Sequence, residues 1–285
     1  MKNILLAYCS LMAFASAPAL AEVPSVFDAG TAARAADINE NIRSLSEAIA
    51  NAAPSMAATS SCRGLPDHST LKTALEAAVL AETSGLDFEM WATIVNRDGV
   101  VCAVAFSGDD RGAQWPGSRV ISAQKANTAN AFSLDGLALS TANLFSAVQP
   151  NQSLFGLQES NPVDVRVAYK GPSSNYGQAN DPMVGQKIGG VNVFGGGLAL
   201  YEAGSVVGSV GVSGDTSCAD HMIGWRVRYN LALDALGGPK GVNDGDPQRP
   251  DNIIYDINDD GVSANGFGHP TCLNTGDQSV LPPVN

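Results

Sequence analysis

VNVFGGGLALYEAGSVVGSVGVSG, Val191 to Gly214, decides the fold. Apolar residues run to Tyr201 and resume at Val206, and Glu202-Ala203-Gly204-Ser205 between them is turn chemistry, so the stretch reads as a β hairpin. A second hairpin lies upstream. MWATIV (Met90 to Val95) and VVCAVAF (Val100 to Phe106) are rich in β-branched and aromatic residues, and Asn96-Arg97-Asp98-Gly99 joins them. Helical patterns separate and flank the hairpins. Ser69 reads as an N-cap to a helix whose Leu71, Leu75, Ala78 and Val79 share one face. Ser118 opens a helix to about Phe132, and a further helical stretch is expected near Leu139 to Val148. The last helix is expected over Ser217 to Leu236, with Ser217 and Asp220 in a capping relation and Gly237-Gly238-Pro239 as its stop. Sequence-adjacent strands pair antiparallel, so the class is α+β, an antiparallel sheet from two hairpins flanked by helices.

The ends of the chain read differently. Residues 1–21 carry Lys2, an apolar run from Ile4 to about Ala15 and the small-x-small triplet Ala19-Leu20-Ala21, which is a signal peptide pattern cleaved after Ala21. The run is short for a bilayer span and Pro18 follows it, so no membrane span is expected after cleavage, and the protein is expected in the periplasm or outside the cell. Residues 22–61 read as an arm with a short helix, Ala32 to Ala50, then a small-residue linker. The folded part is expected over 62–240, with a Pro-, Gly- and Asn-rich surface excursion at 149–190, and 241–285 as an acidic tail wrapping the surface. The formal charge of -12 makes nucleic acid an unsuitable partner, since no basic surface exists to track a phosphate backbone.

Outside the leader lie Cys62, Cys102, Cys218 and Cys272, an even set in a compartment where disulfides persist. Cys62 and Cys272 flank the expected core and Cys102 and Cys218 lie inside it. That favours pairing Cys62 with Cys272 and Cys102 with Cys218, with the other two connectivities open. The spacing matches no zinc pattern, and a fully paired set leaves no thiol nucleophile.

NRDGVVCAVAFSG, SRVISAQKANTANAFS and GGVNVFGGGLALYEAGSVVGSVGVSGDTSCADHMIGW, in that order, resemble the GlcG/HbpS-like haem-binding family over roughly Leu71 to Leu236. The most specific pieces are Lys-Ala-x-Thr-Ala at Lys125 to Ala129 and the strand end at Gly211 to Gly214. The resemblance implies a profilin-like sheet, assembly into homo-oligomers, and binding of haem or a related tetrapyrrole, with haem breakdown or redox sensing as family roles. The insert DRGAQWPGS, the 149–190 segment and the acidic tail depart from shorter members.

Ile121, Lys125, Thr128 and Phe132 share a helix face. Within the resemblance that face belongs to the haem region, with Lys125 or Arg119 for a propionate and Thr128 as a weak axial oxygen. The plainer reading is that Lys125 and Thr128 support a subunit contact. His221 lies one turn before Trp225 and is the preferred axial ligand to iron, against the plainer reading of a satisfied structural histidine near a helix start. His68 and His269 rank below it. Asp256, Asn258, Asp260 and Gly261 match the first half of an EF-hand loop. Phe267 stands where the bidentate glutamate belongs, so a solvated acidic loop is the better reading. The glycines do not form G-x-G-x-x-G, and close backbone packing accounts for them. No G-x-S-x-G elbow occurs, and haem-degrading activity has no motif of its own here. The expected function is an exported haem-binding protein that sequesters, senses or assists degradation of haem. The alternatives are an oligomeric structural or sensory module binding a partner such as a sensor or other exported protein, or a small-metabolite enzyme.

Overall fold

The computed structural model describes residues 39–40, 42–44, 61–238 and 241–285. The expected signal peptide, most of the expected Ala32 to Ala50 helix and the expected linker before residue 61 lie outside these residues. No helix among the described residues is long and apolar enough to cross a membrane.

Helix α1 spans His68–Leu80, and its N-cap is Asp67 rather than Ser69. The Asp67 carboxylate accepts both the Ser69 hydroxyl and the Thr70 amide, which satisfies a donor that the helix leaves open. Strands β1 (Trp91–Asn96) and β2 (Val101–Phe106) form the first hairpin, and Asn96 Oδ1 receives the Asp98 and Val100 amides inside its turn. Helix α2 spans Ser118–Phe132 as the spacing predicts. Beyond it, the helical stretch expected near Leu139 to Val148 is two 3-10 turns, Thr141–Leu144 and Ser146–Val148. Two single-turn helices, α3 (Leu157–Ser160) and α4 (Val165–Ala168), precede the second hairpin, β3 (Gly197–Glu202) and β4 (Ser205–Ser213). Helix α5, Ser217–Asn230, completes the order.

The four strands make one antiparallel sheet in the order β2-β1-β4-β3. One face packs on α1 and α5 through Leu71, Leu75, Ile94, Leu198, Val210 and Trp225. The other packs on α2 through Trp91, Val95, Val104, Val120, Ala123 and Ala126. Covering both faces explains why the strands are continuous apolar runs instead of alternating ones. Gly197 pairs with Gly211 across β3 and β4. A Cβ on Gly211 would stand 2.0 Å from the Ser122 carbonyl oxygen, and one on Gly197 would stand 2.6 Å from that of Lys125. The glycines therefore let the α2 backbone rest directly on the sheet, the close packing that the sequence predicts.

Helix α5 ends six residues before the expected Leu236. Its chain turns at Ala232, with φ of 53°, and runs beside the edge strand β3, where the Leu233 carbonyl accepts from the Tyr201 amide and the Ala235 carbonyl from the Gly204 amide. Open donors of a sheet edge thus compete successfully for this segment. The N-cap is Thr216 in place of Ser217, whose hydroxyl is engaged elsewhere.

All four cysteines are paired, but as Cys62–Cys102 and Cys218–Cys272, with Cα separations of 5.5 and 5.9 Å. The favoured pairing is corrected for a topological reason. Cys102 sits on β2, one edge of the sheet, whereas α5, which begins with Cys218, lies over β4 and β3 on the opposite half. Each core cysteine meets the flanking segment nearest to it.

The segments expected on the surface also carry buried side chains. Ala168, Met183 and Ile188 join the α2-side core, and Asp181 is buried beside them. In the tail, Asp251, Asn252, Ile253, His269 and Leu281 are buried. Asp251 holds Arg228 of α5 in a fully enclosed ion pair at 2.6 and 2.9 Å. The acidic loop keeps its oxygens for itself: Asp256 accepts from Ser263 and Asn265, and Asn258 from the Asp260 and Val262 amides.

Candidate functional site

Helix α2 and helix α5 lie on opposite faces of the sheet, and both start near the end of β4. Between their first turns is a cleft of about 360 Å³. Trp115, Ser118 and Ile121 line it from the α2 side, Phe194 from the approach to β3, and Ser213, Asp215, Ser217 and Asp220 from the β4-to-α5 junction. Trp115 is 51% exposed and Phe194 45%, so two large aromatic side chains stand open at the rim of one depression. Paired exposed aromatics of this size point to recognition.

A buried ion pair underlies the cleft. Lys125 Nζ lies 2.5 Å from Asp220 Oδ2 and donates to the Val212 carbonyl at 3.0 Å. The other Asp220 oxygen accepts the Gly214 and Asp215 amides at 3.1 and 2.8 Å. Burial pushes the Asp220 carboxyl up to about 6 and the Lys125 ammonium down, each opposed by the attraction of the other. At the cleft edge, Ser217 Oγ accepts the Gly195 amide at 2.7 Å and lies 2.7 Å from His269 Nε2. The carboxylate of Asp215 receives the amides of Leu86, Phe88 and Thr216, which fixes the wall.

Of the four residues that the sequence nominates, only Lys125 reaches this cleft, through Asp220. Arg119 is consumed by a buried pair with Asp181 at 2.8 and 2.5 Å, the Ala168 carbonyl at 2.7 Å and the Tyr176 ring 3.7 Å below its guanidinium. Thr128 Oγ1 donates to the Gln124 carbonyl at 2.7 Å and accepts the Asn192 amide at 3.0 Å. His221 is enclosed by the tail: its Nε2 lies 3.0 Å from Asn252 Oδ1 and 3.1 Å from the Ile253 amide nitrogen. Burial drives its pKa down to about 3, so the ring is neutral. Its Nδ1 has no hydrogen-bond partner among the described residues.

Sequence reasoning missed Trp115, Phe194 and the Ser217–His269 contact. Trp115 lies in the insert DRGAQWPGS, so a signal for it existed. Ser217 and His269 are 52 residues apart and share no local motif. Ligand atoms of Cys218, His269 and Cys272 lie within 4.8 Å of one another, but the two sulfurs are bonded to each other and do not form a metal centre in this state.

A tetrapyrrole fits the walls better than the donors. Trp115, Ile121 and Phe194 supply apolar and aromatic surface for a flat macrocycle, and the volume is at the small end of ligand pockets, roughly 300–1,000 Å³. The polar lining is serine and aspartate oxygen, with no histidine and no cation among the lining residues.

A family model described as "Haem degrading protein HbpS-like" matches residues 67–226, from the N-cap of α1 into α5. The match includes Trp115, Phe194 and the Lys125–Asp220 pair and stops before the tail that covers His221. Solved structures similar to the chain include the following two. Klebsiella pneumoniae protein ORFY is 24% identical over 57% of this chain and 86% of that one, with a TM-score of 0.40. A PduOC:heme complex is 21% identical over 63% of this chain and 95% of that one, also at 0.40. No curated protein matches the chain.

Proposed function

The chain belongs to the HbpS-like family, whose model spans more than half of it, and on that premise we propose that it is an exported haem-binding protein that sequesters, senses or assists degradation of haem. The observation that carries this reading is the cleft with Trp115 and Phe194 open at its rim. Trp115, Ile121 and Phe194 would hold the haem macrocycle. Arg119 is already bound to Asp181 and Lys125 to Asp220, so neither would be free to pair with a propionate. Haem supplies redox-active iron when bound. The chain's own residues hold the ring, exclude water from its inner edge and place an acidic group, Asp220, next to it. His221 is held by Asn252 and Ile253 and would have to be released to serve as a ligand, whereas the serine and aspartate oxygens of the cleft lining would be available without that change.

Titration of the purified protein with haem tests this. The expected result is a saturable Soret change at about one haem per chain with micromolar or tighter affinity, roughly -8 kcal/mol, and quenching of tryptophan fluorescence. Weak, unsaturable uptake contradicts the reading. Exposed Phe155, Val165 and Tyr169 in segment 149–190 support homo-oligomer assembly, and light scattering on the eluting protein should give a multiple of the chain mass.

A further inference from the structure

Ser217 and His269 have the geometry of a nucleophile and its base. The Pro270 carbonyl lies 2.7 Å from His269 Nδ1 and can only accept, so in the neutral ring Nδ1 carries the proton and Nε2 offers its lone pair. Ser217 Oγ, 2.7 Å from Nε2, is therefore the donor. Burial keeps the imidazole neutral by lowering its pKa to about 4, so the Nε2 lone pair is unprotonated at neutral pH. On its other side Ser217 Oγ receives the Gly195 amide at 2.7 Å, a contact that strengthens as the oxygen becomes negative. The disulfide between Cys218 and Cys272 ties the residue after Ser217 to the loop that carries His269, so the two side chains are held in register covalently. Ser217 lines the cleft and is partly buried, whereas His269 is buried behind it. Nucleophile, base and a third group orienting the base form one hydrogen-bonded row beside a depression that can hold a ligand.

We propose that Ser217 and His269 hydrolyse small neutral acyl esters bound in this cleft. Ser217 Oγ bonds to the ester carbonyl carbon while His269 Nε2 takes its proton. The carbon–alkoxy bond then breaks, and the alcohol leaves with that proton. Water, deprotonated in the same way, attacks the acyl-serine and releases the carboxylic acid, which restores the serine. Water is the sole co-reactant. The substrate class follows from the lining: Trp115, Ile121 and Phe194 favour a short apolar or aromatic ester, and Asp215 and Asp220 disfavour an anionic one.

Intact, oxidised protein without haem should be treated with a fluorophosphonate and its peptides mapped by mass. The expected result is one adduct per chain, on Ser217, together with slow turnover of p-nitrophenyl acetate. That turnover should fall about 100-fold in Ser217→Ala and in His269→Gln. Ser217→Ala also removes the Gly195 contact, so labelling of the unmutated chain is decisive. No adduct, an adduct elsewhere, or undiminished turnover in a folded Ser217→Ala overturns the proposal. The outcome is independent of whether the chain binds haem.

Discussion

Two buried histidines make the stability of this chain sensitive to acid. Burial lowers His221 from 6.5 to about 3 and His269 to about 4. Between those values and 6.5 the unfolded chain binds protons that the native one refuses, so their contribution is complete above about pH 6.5 and is lost as pH falls. Asp220 acts in the opposite sense. Its carboxyl is raised from 3.8 to about 6, so the native state holds the extra proton between those values and gains stability as pH falls. Two lowered histidines outweigh one raised carboxyl. The melting temperature should drop between pH 7.5 and 5, and His221→Gln should shrink the drop; an unchanged pH profile in that variant would contradict the burial account. The enclosure of His221 was not legible in the sequence, because Asn252 and Ile253, which seal it, lie in a tail that reads as polar surface. Lys125 was legible as a candidate propionate contact, but its partner Asp220 read only as a helix cap.

The sheet and α2 were the most legible elements, since hairpin turns and apolar runs are local signals. The Gly197 and Gly211 pair shows what that legibility rests on. Gly211→Ala places a methyl group 2.0 Å from the Ser122 carbonyl oxygen and 2.4 Å from the Ala126 amide nitrogen. Helix α2 must lift from β4, and urea denaturation should show a loss of about 3 kcal/mol or more, as for an overpacked core. A loss below 0.5 kcal/mol would mean that helix and sheet are less tightly apposed. Disulfide connectivity was not legible, because it depends on which edge of the sheet β2 occupies and which half α5 covers. Non-reducing peptide maps should link Cys62 to Cys102 and Cys218 to Cys272. The sequence separations of 40 and 54 correspond to about 4 kcal/mol each in the chain-entropy model, so reduction should lower the melting temperature strongly. A Cys62–Cys272 peptide would refute the topology.

For the whole molecule, the tail and segment 149–190 turn a two-hairpin sheet into a closed unit. Asp181 neutralises Arg119, Asp251 neutralises Arg228, and both acids come from segments that the sequence assigned to the surface. Such long-range pairs have no local pattern, so all four nominated haem contacts, Arg119, Lys125, Thr128 and His221, proved to be engaged inside the fold. What remains open is the cleft between the first turns of α2 and α5, with its aromatic rim. The most direct measurement compares haem affinity, from the Soret change, in the unmutated chain, Trp115→Ala/Phe194→Ala and His221→Ala. The account predicts that the double variant binds about 10- to 30-fold more weakly, as expected when aromatic anchors are truncated, while His221→Ala binds as the unmutated chain does. Undiminished binding by the double variant, with loss in His221→Ala, would contradict it and move the haem beneath the tail.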